Sequence, residues 1–173
     1  PASFMLVASM NPCPCGWFGD NSGRCRCTMD AIERYRGKLS GPLLDRIDIH
    51  LAMTRLHHEE LHLNAAPGEC SALIRERVIR TRDLQKNRTG VCNEHLSQAQ
   101  LKEHCKLSTQ NQDLLDKAMN TLQLSARATY RILRVARTIA DLAGSEHINT
   151  PHLAEAIQYR QLDRALAMPK RRG

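Results

Sequence analysis

The sequence predicts a mainly α-helical protein with a small α/β part at its N-terminal end. Two strand-like segments indicate the α/β part: a continuous apolar run at residues 4–8 and an alternating apolar and polar pattern at residues 47–52. Helical periodicity fills most of residues 69–167. Aromatic residues make up only 3% of the chain, so its core must rest on aliphatic side chains, which suit helix packing.

Composition and charge indicate which kinds of binding partner and which cellular compartment to expect. The net charge of +7 over 173 residues favours an acidic partner such as nucleic acid, nucleotide phosphate or an acidic protein surface. No apolar run reaches the roughly 20 residues of a membrane span and no signal peptide is visible, so we expect a cytoplasmic protein without a membrane partner. Seven cysteines, an odd number, fit reduced thiols or a metal site better than a disulfide framework.

The first strand-like segment ends at a polar residue. Residues 4–8 have the pattern of a strand covered on both faces, and Asn11-Pro12 stops it because proline cannot continue a ladder. By spacing alone Asn11 is an ordinary turn former. The segment begins without a preceding turn or cap, which predicts that the chain is part of a longer protein.

Residues 12–28 form a proline- and glycine-rich loop with two C-x-C pairs, Cys13/Cys15 and Cys25/Cys27. Four thiolates in one loop can form the tetrahedral shell that zinc prefers, although C-x-x-C is the usual spacing. Such a zinc would be structural, because four thiolates leave no coordination position for a substrate. Four reduced thiols, or two disulfides in an oxidised sample, remain the alternatives.

The next residues lead to the second strand-like segment. Thr28 is the expected N-cap of a short helix at residues 29–38. A turn at residues 40–42 follows, and the pair Asp45-Arg46 lies at the entrance to the predicted strand. By spacing alone this pair is a local surface ion pair of little energetic value.

Residues 56–68 have the composition of a linker between the two parts. The linker contains a group of potential metal ligands, His57, His58, Glu59, Glu60 and His62. We interpret them as solvated side chains, because the set is incomplete for a metal site.

Three helices are predicted after the linker, at residues 69–86, 97–105 and 109–122. In the first, an apolar side is formed by Leu73, Ile74, Val78 and Ile79. Gly90 ends this pattern. The third has a T-x-x-Q capping box at Thr109 and Gln112.

The clearest helix covers residues 125–143, with Ser125 as its cap. Its apolar side contains Ile132, Leu133, Ala136, Ile139, Ala140 and Ala143. The other side carries Arg127, Arg131, Arg134 and Arg137, a stripe typical of a solvated face. Nucleic-acid contact by the last three is the alternative. A final helix is expected from a Thr150 cap to about residue 166, before a basic tail at 168–173.

Several stretches together resemble the AAA+ ATPases of the magnesium-chelatase-like group, most closely the ComM/YifB type. They are MNPCPCG, the CRC pair, LSGPLLDRIDIH and SARATYRILRVARTIADLAG. The resemblance implies that residues 1–55 are the end of an AAA+ α/β core and residues 69–167 a helical lid. It also implies that Asn11 is sensor 1, Arg46 the arginine finger supported by Asp45, and Arg127 the sensor 2 arginine.

The function implied by this resemblance is that of a hexameric, ATP- and Mg²⁺-dependent motor that migrates DNA branch points during DNA uptake and recombination. In the family the phosphate loop and the magnesium-binding acidic motif precede the region that this chain resembles. The chain contains neither motif, so we expect it to lack ATP hydrolysis by itself. The alternatives are a motor subunit for inserting magnesium or cobalt into a tetrapyrrole, and a non-catalytic zinc- and DNA-binding module.

Overall fold

A computed structural model of the protein describes residues 4–20, 22–53 and 68–160. These residues form two compact units, the first ending at Leu44 and the second beginning at Asp45. The predicted linker at 56–68 lies almost wholly outside the described residues, as do its histidines and glutamates. The basic tail and the predicted final helix beyond residue 160 also lie outside them.

The two predicted strands are wrong for the residues that the structure describes, in which every regular element is a helix. Residues 4–10 and 47–53 form irregular coil instead, and apolar side chains such as Val7 (82% exposed) and Leu51 (61% exposed) face outward. A buried strand needs hydrogen-bonded neighbours, and no strand in the described ranges supplies them. Over residues 4–20, 22–53 and 68–160 the fold is therefore mainly helical, and the expected α/β part is not seen there.

The first unit contains the cysteine loop and two helices, α1 (Met29–Arg36) and α2 (Gly41–Leu44). Thr28 caps α1 as predicted, with its side chain accepting a hydrogen bond from the amide of Ala31. The helix ends two residues earlier than expected, at Arg36. The short α2 occupies the position of the predicted turn.

The second unit is a helical bundle around α6. It contains α3 (Ser71–Thr89), a 3₁₀ turn (Asn93–His95), α4 (Gln98–His104), α5 (Thr109–Leu122), α6 (Ala126–Leu142) and α7 (Thr150–Gln158). The core is aliphatic, as the composition predicts, and its buried members include Leu96, Leu101, Leu115, Ile132, Ala136, Ala140, Ile148 and Leu153. None of the described helices is long and apolar enough to cross a bilayer.

Side-chain caps determine where these helices begin. Ser97 and Gln100 form a capping box on α4, and Ser125 caps α6 as predicted. Two predicted caps are wrong by one residue, because Ser108 caps α5 and Asn149 precedes α7. In both cases the preceding residue is itself a good cap, and the predicted threonine becomes the first helical residue.

The predicted apolar side of α3 is not its buried side. Leu73, Ile74, Val78 and Ile79 are all exposed, whereas Thr81 and Gln85 are buried. The C-terminal half of α3 makes polar contacts with the rest of the bundle, for example from Arg88 to Asp141 on α6. These contacts, and not the apolar pattern, determine which side of α3 is covered.

Candidate metal centre and arginine network

The four loop cysteines come together in the first unit. Their Sγ atoms all lie within 4.8 Å of one another. Cys13 Sγ is 3.3 Å from Cys15 Sγ and 3.9 Å from Cys25 Sγ. All four are reduced, and Cys13 is completely buried. The two C-x-C pairs therefore converge on one point, as the zinc hypothesis requires.

The loop folds this way because a tight turn, from Cys13 to Gly16, contains the first pair. Gly16 donates its amide to the Cys13 carbonyl at 3.0 Å and adopts a φ of +81°, which favours glycine. Arg36 connects the loop to α1, since its Nε donates to the Pro12 carbonyl at 3.0 Å and its guanidinium lies over the Phe18 ring. Arg24 lies over the Trp17 ring in the same way.

The electrostatics of the cluster favour a bound cation. Backbone hydrogen bonds at Trp17 and Arg26 lower the pKa of Cys15 to about 6. At Cys27 a backbone hydrogen bond from Cys15 favours ionisation, but the Cys15 thiol, burial and the Cys13 thiol outweigh it and raise the pKa to about 12. Four adjacent thiols cannot all ionise without a positive charge between them, and a divalent ion would supply it. The donor set fits zinc, and four protein ligands would make such a site structural.

Asn11, the sensor 1 candidate, lies directly beside this loop. It is exposed, and a Cβ atom built on Gly16 would lie 3.8 Å from the Asn11 amide group. Gly16, which closes the turn around Cys13 and Cys15, therefore lies next to one side of the Asn11 side chain.

Asp45 and Arg46 belong to the second unit, where two arginines hold the segment that contains them. Arg160, which is completely buried, has its Nη2 3.6 Å from Asp45 Oδ1 and donates from Nη1 to the Ile47 carbonyl. Arg131 forms an ion pair with Asp48. Further along, the His50 amide donates to the Tyr159 carbonyl at 2.9 Å. Residues 45–50 are thus fixed to α6 and to the end of α7.

Arg46 and Arg127 are both exposed. Arg46 lies between Asp45 and Ile47, the two residues that Arg160 contacts. Arg127 lies in the first turn of α6, one helical turn before Arg131. The predicted finger segment and the predicted sensor 2 helix are therefore joined through the ion pair of Arg131 with Asp48.

The solvated-face interpretation is wrong for most of the arginine stripe on α6. Arg137 is 2% exposed and donates to Asp141 Oδ1, to the Ser145 carbonyl and to the Glu146 carbonyl. Arg134 donates to the Leu96 carbonyl at 2.8 Å. Nucleic-acid contact by Arg131, Arg134 and Arg137 stays a prediction, and for Arg137 it would require these hydrogen bonds to break.

Several of these charged side chains meet at the buried carboxylate of Asp141. It accepts hydrogen bonds from Arg88 at 2.6 and 2.8 Å, from Asn93 at 2.8 Å and from Arg137 at 3.0 Å. Burial opposes its ionisation, but the hydrogen bonds from Arg88 and Asn93 and the charge of Arg137 outweigh it and lower the pKa of Asp141. This network connects α3, the 3₁₀ turn and α6.

Sequence reasoning missed the partners of these arginines. Arg137 and Asp141 are spaced i,i+4 on a predicted helix, so that pair was visible in the sequence. Arg160 and Asp45 are separated by 115 positions, and no local pattern signals their contact.

Comparison with known proteins gives two family matches that together cover nearly the whole described chain. The family described as magnesium chelatase, subunit ChlI, matches residues 1–61, and the family described as its C-terminal part matches residues 68–160. The chain is 43% identical over 166 residues to the competence protein ComM of Haemophilus influenzae and 41% identical over 166 residues to YifB of Escherichia coli. Each alignment covers 96% of this chain and 32% of the relative, so the chain spans about a third of the length of these relatives.

Proposed function

Because this chain belongs to the magnesium-chelatase-like family of AAA+ proteins, we propose that it is the C-terminal portion of an ATP-driven, hexameric DNA branch-migration motor. The observation that carries this proposal is the 43% identity, over 96% of the chain, to a relative whose name assigns it to competence. A role of this chain in competence, DNA uptake and recombination is part of the proposal. The net charge of +7 is compatible with DNA as the partner.

In the proposed motor the chain supplies arginines and an amide, while residues outside it hold the phosphates and Mg²⁺. Bound ATP supplies the hydrolysable phosphoanhydride bond. Arg46 and Arg127 fit a phosphate partner, because both are exposed and a guanidinium offers five N–H donors. Arg127 donates to a phosphate of its own subunit's nucleotide, and Arg46 to the nucleotide of a neighbouring subunit in the ring.

Asn11 has a different role in this proposal. A neutral amide can accept a hydrogen bond from water and donate another, so it orients a water molecule without attracting its proton. A structural zinc ion held by Cys13, Cys15, Cys25 and Cys27 stabilises the loop beside Asn11. The support for zinc is the convergence of four Sγ atoms within 4.8 Å.

A chelatase motor subunit is the second candidate. It is favoured by a specific observation, since both matching families are described by magnesium chelatase. In that case the same arginines serve ATP hydrolysis, and the energy drives insertion of magnesium or cobalt into a tetrapyrrole. A zinc- and DNA-binding module without catalysis is the third, and its support is the cysteine cluster together with the basic net charge.

The test is the rate of ATP turnover by the full-length protein with a four-way DNA junction, with linear duplex of the same length, and without DNA. We expect the junction to stimulate turnover more than the duplex does. Turnover that ignores DNA but responds to a porphyrin would favour the chelatase motor. Tight DNA binding without any turnover would favour the non-catalytic module.

A further inference from the structure

We propose that Arg160 and Arg131 are positioning residues for Arg46, holding its segment on the helical unit so that a movement of α6 moves Arg46 as well. This inference rests on the proposed function, because it explains the contacts around Arg46 by the role of Arg46 as an arginine finger. The evidence is a set of three separate attachments within residues 45–50.

The first attachment is the buried guanidinium of Arg160. Removing a guanidinium from water is expensive unless charged or polar groups replace the water. At Arg160, which is 0% exposed, Asp45 and the Ile47 carbonyl provide such groups. Because these residues immediately flank Arg46, the backbone at Arg46 is held on both sides.

The second attachment is the ion pair of Arg131 with Asp48. Its side chains are 22% and 48% exposed, so it adds little to folding stability. Its contribution is geometric, since it joins the finger segment to the second turn of α6. The third attachment is the hydrogen bond from the His50 amide to the Tyr159 carbonyl.

The helix α6 connects these attachments to the nucleotide. Arg127 and Arg131 lie one turn apart on it, and Ala128, Ile132 and Ala136 between and beyond them are buried in the core. When Arg127 gains a phosphate partner, any shift of α6 is transmitted through Arg131 to Asp48. Nucleotide binding in one subunit would thereby change the position of the arginine that acts on its neighbour.

The first experiment measures ATP turnover and backbone protection in the full-length protein carrying Arg131→Gln. We expect kcat to fall about tenfold or more with KM changed less than about twofold, because a displaced catalytic group weakens the transition state and not ground-state binding. Amide hydrogen exchange across residues 45–53 should accelerate. The charge swap, in which Arg131→Asp is combined with Asp48→Arg, should restore both kcat and the slow amide exchange of residues 45–53.

The matched control is Arg77→Gln, which removes the exposed ion pair of Arg77 on α3 with Glu69, two residues before the helix begins. It removes the same kind of surface ion pair at a place away from the finger segment. We therefore expect neither kcat nor the amide exchange of residues 45–53 to change. Arg160→Lys and Arg160→Met extend the series. Lysine should retain more turnover than methionine, since it keeps the charge that faces Asp45.

The inference is overturned if the wild type hydrolyses ATP while Arg131→Gln behaves like Arg77→Gln in kcat and in exchange. It is also overturned if the charge swap restores neither kcat nor the slow amide exchange of residues 45–53. If the wild type shows no turnover, the proposed function fails instead. Exchange at residues 45–53 then still decides whether Arg131 fixes the segment.

Discussion

Asp141 is the residue on which we expect folding stability of the second unit to depend most. The change Asp141→Asn keeps the shape of the side chain but leaves Arg88 and Arg137 without their shared negative charge. We expect it to lower the free energy of unfolding by about 3 kcal/mol, the usual range for breaking a buried ion pair. Urea unfolding at pH 7 measures this, with Asp116→Asn as the control, because Asp116 is an exposed residue of α5.

The effect of Asp141→Asn should depend on pH in a defined direction. The folded-state pKa of Asp141 is lowered, so its stabilisation is complete above the unfolded value of about 4 and is lost as the pH falls through the folded value. The difference between wild type and variant should therefore shrink below about pH 4. An equal difference at pH 7 and pH 3 would contradict the proposed role of the charge.

The cysteine cluster gives a second prediction for single residues. The change Cys15→Ser replaces a thiolate by a hydroxyl, which is a poor zinc ligand at neutral pH, so we expect the protein to lose its zinc. Metal analysis of freshly purified, reduced protein measures this. Cys70→Ser is the control, because Cys70 is exposed and lies outside the cluster. A wild type without zinc would contradict the assignment.

The cysteine cluster could be predicted from the sequence, but the partners of the arginines could not. The cysteines lie within 15 positions and share a loop, so their convergence was predictable from spacing. Arg160, Asp45, Arg131 and Asp48 meet across long stretches of chain. Only the folded bundle determines those pairs, and the α6 arginines therefore looked like a solvated face.

Among the helices, the start of α6 gives the most direct prediction. The Ser125 side chain accepts a hydrogen bond from the Ala128 amide, and Arg127 lies in that first turn. We expect Ser125→Ala to lower the free energy of unfolding by about 1 kcal/mol and Ser125→Asp to preserve it, since aspartate is also a good cap. Thermal unfolding measures both. Equal stability of the alanine variant and the wild type would show that this cap is dispensable.

Most helices were predictable because their signals are local. Caps and a 3.6-residue apolar period locate α4, α5 and α6 to within a residue or two. The strands were not predictable in this way, because an apolar run becomes a strand only when a neighbour pairs with it. The buried side of α3 likewise depends on Arg88 and Gln85 meeting groups outside the helix.

At the scale of the whole molecule, the proposed function makes this chain the part of a ring motor that places two arginines against nucleotide. The full-length protein should therefore lose ATP turnover when either arginine is removed, although both are exposed and neither is part of the core. Loss of Arg46 should act on a neighbouring subunit, so in mixed rings each Arg46→Ala subunit should reduce turnover at its neighbour's site and not at its own.

The most direct test is steady-state ATP turnover by the full-length protein with Arg46→Ala, Arg127→Ala and the control Arg77→Ala. We predict that both site variants fold normally and lose turnover by about a hundredfold or more, whereas the control retains it. Turnover in Arg46→Ala and Arg127→Ala equal to the control would contradict the assignment of these two arginines to ATP hydrolysis.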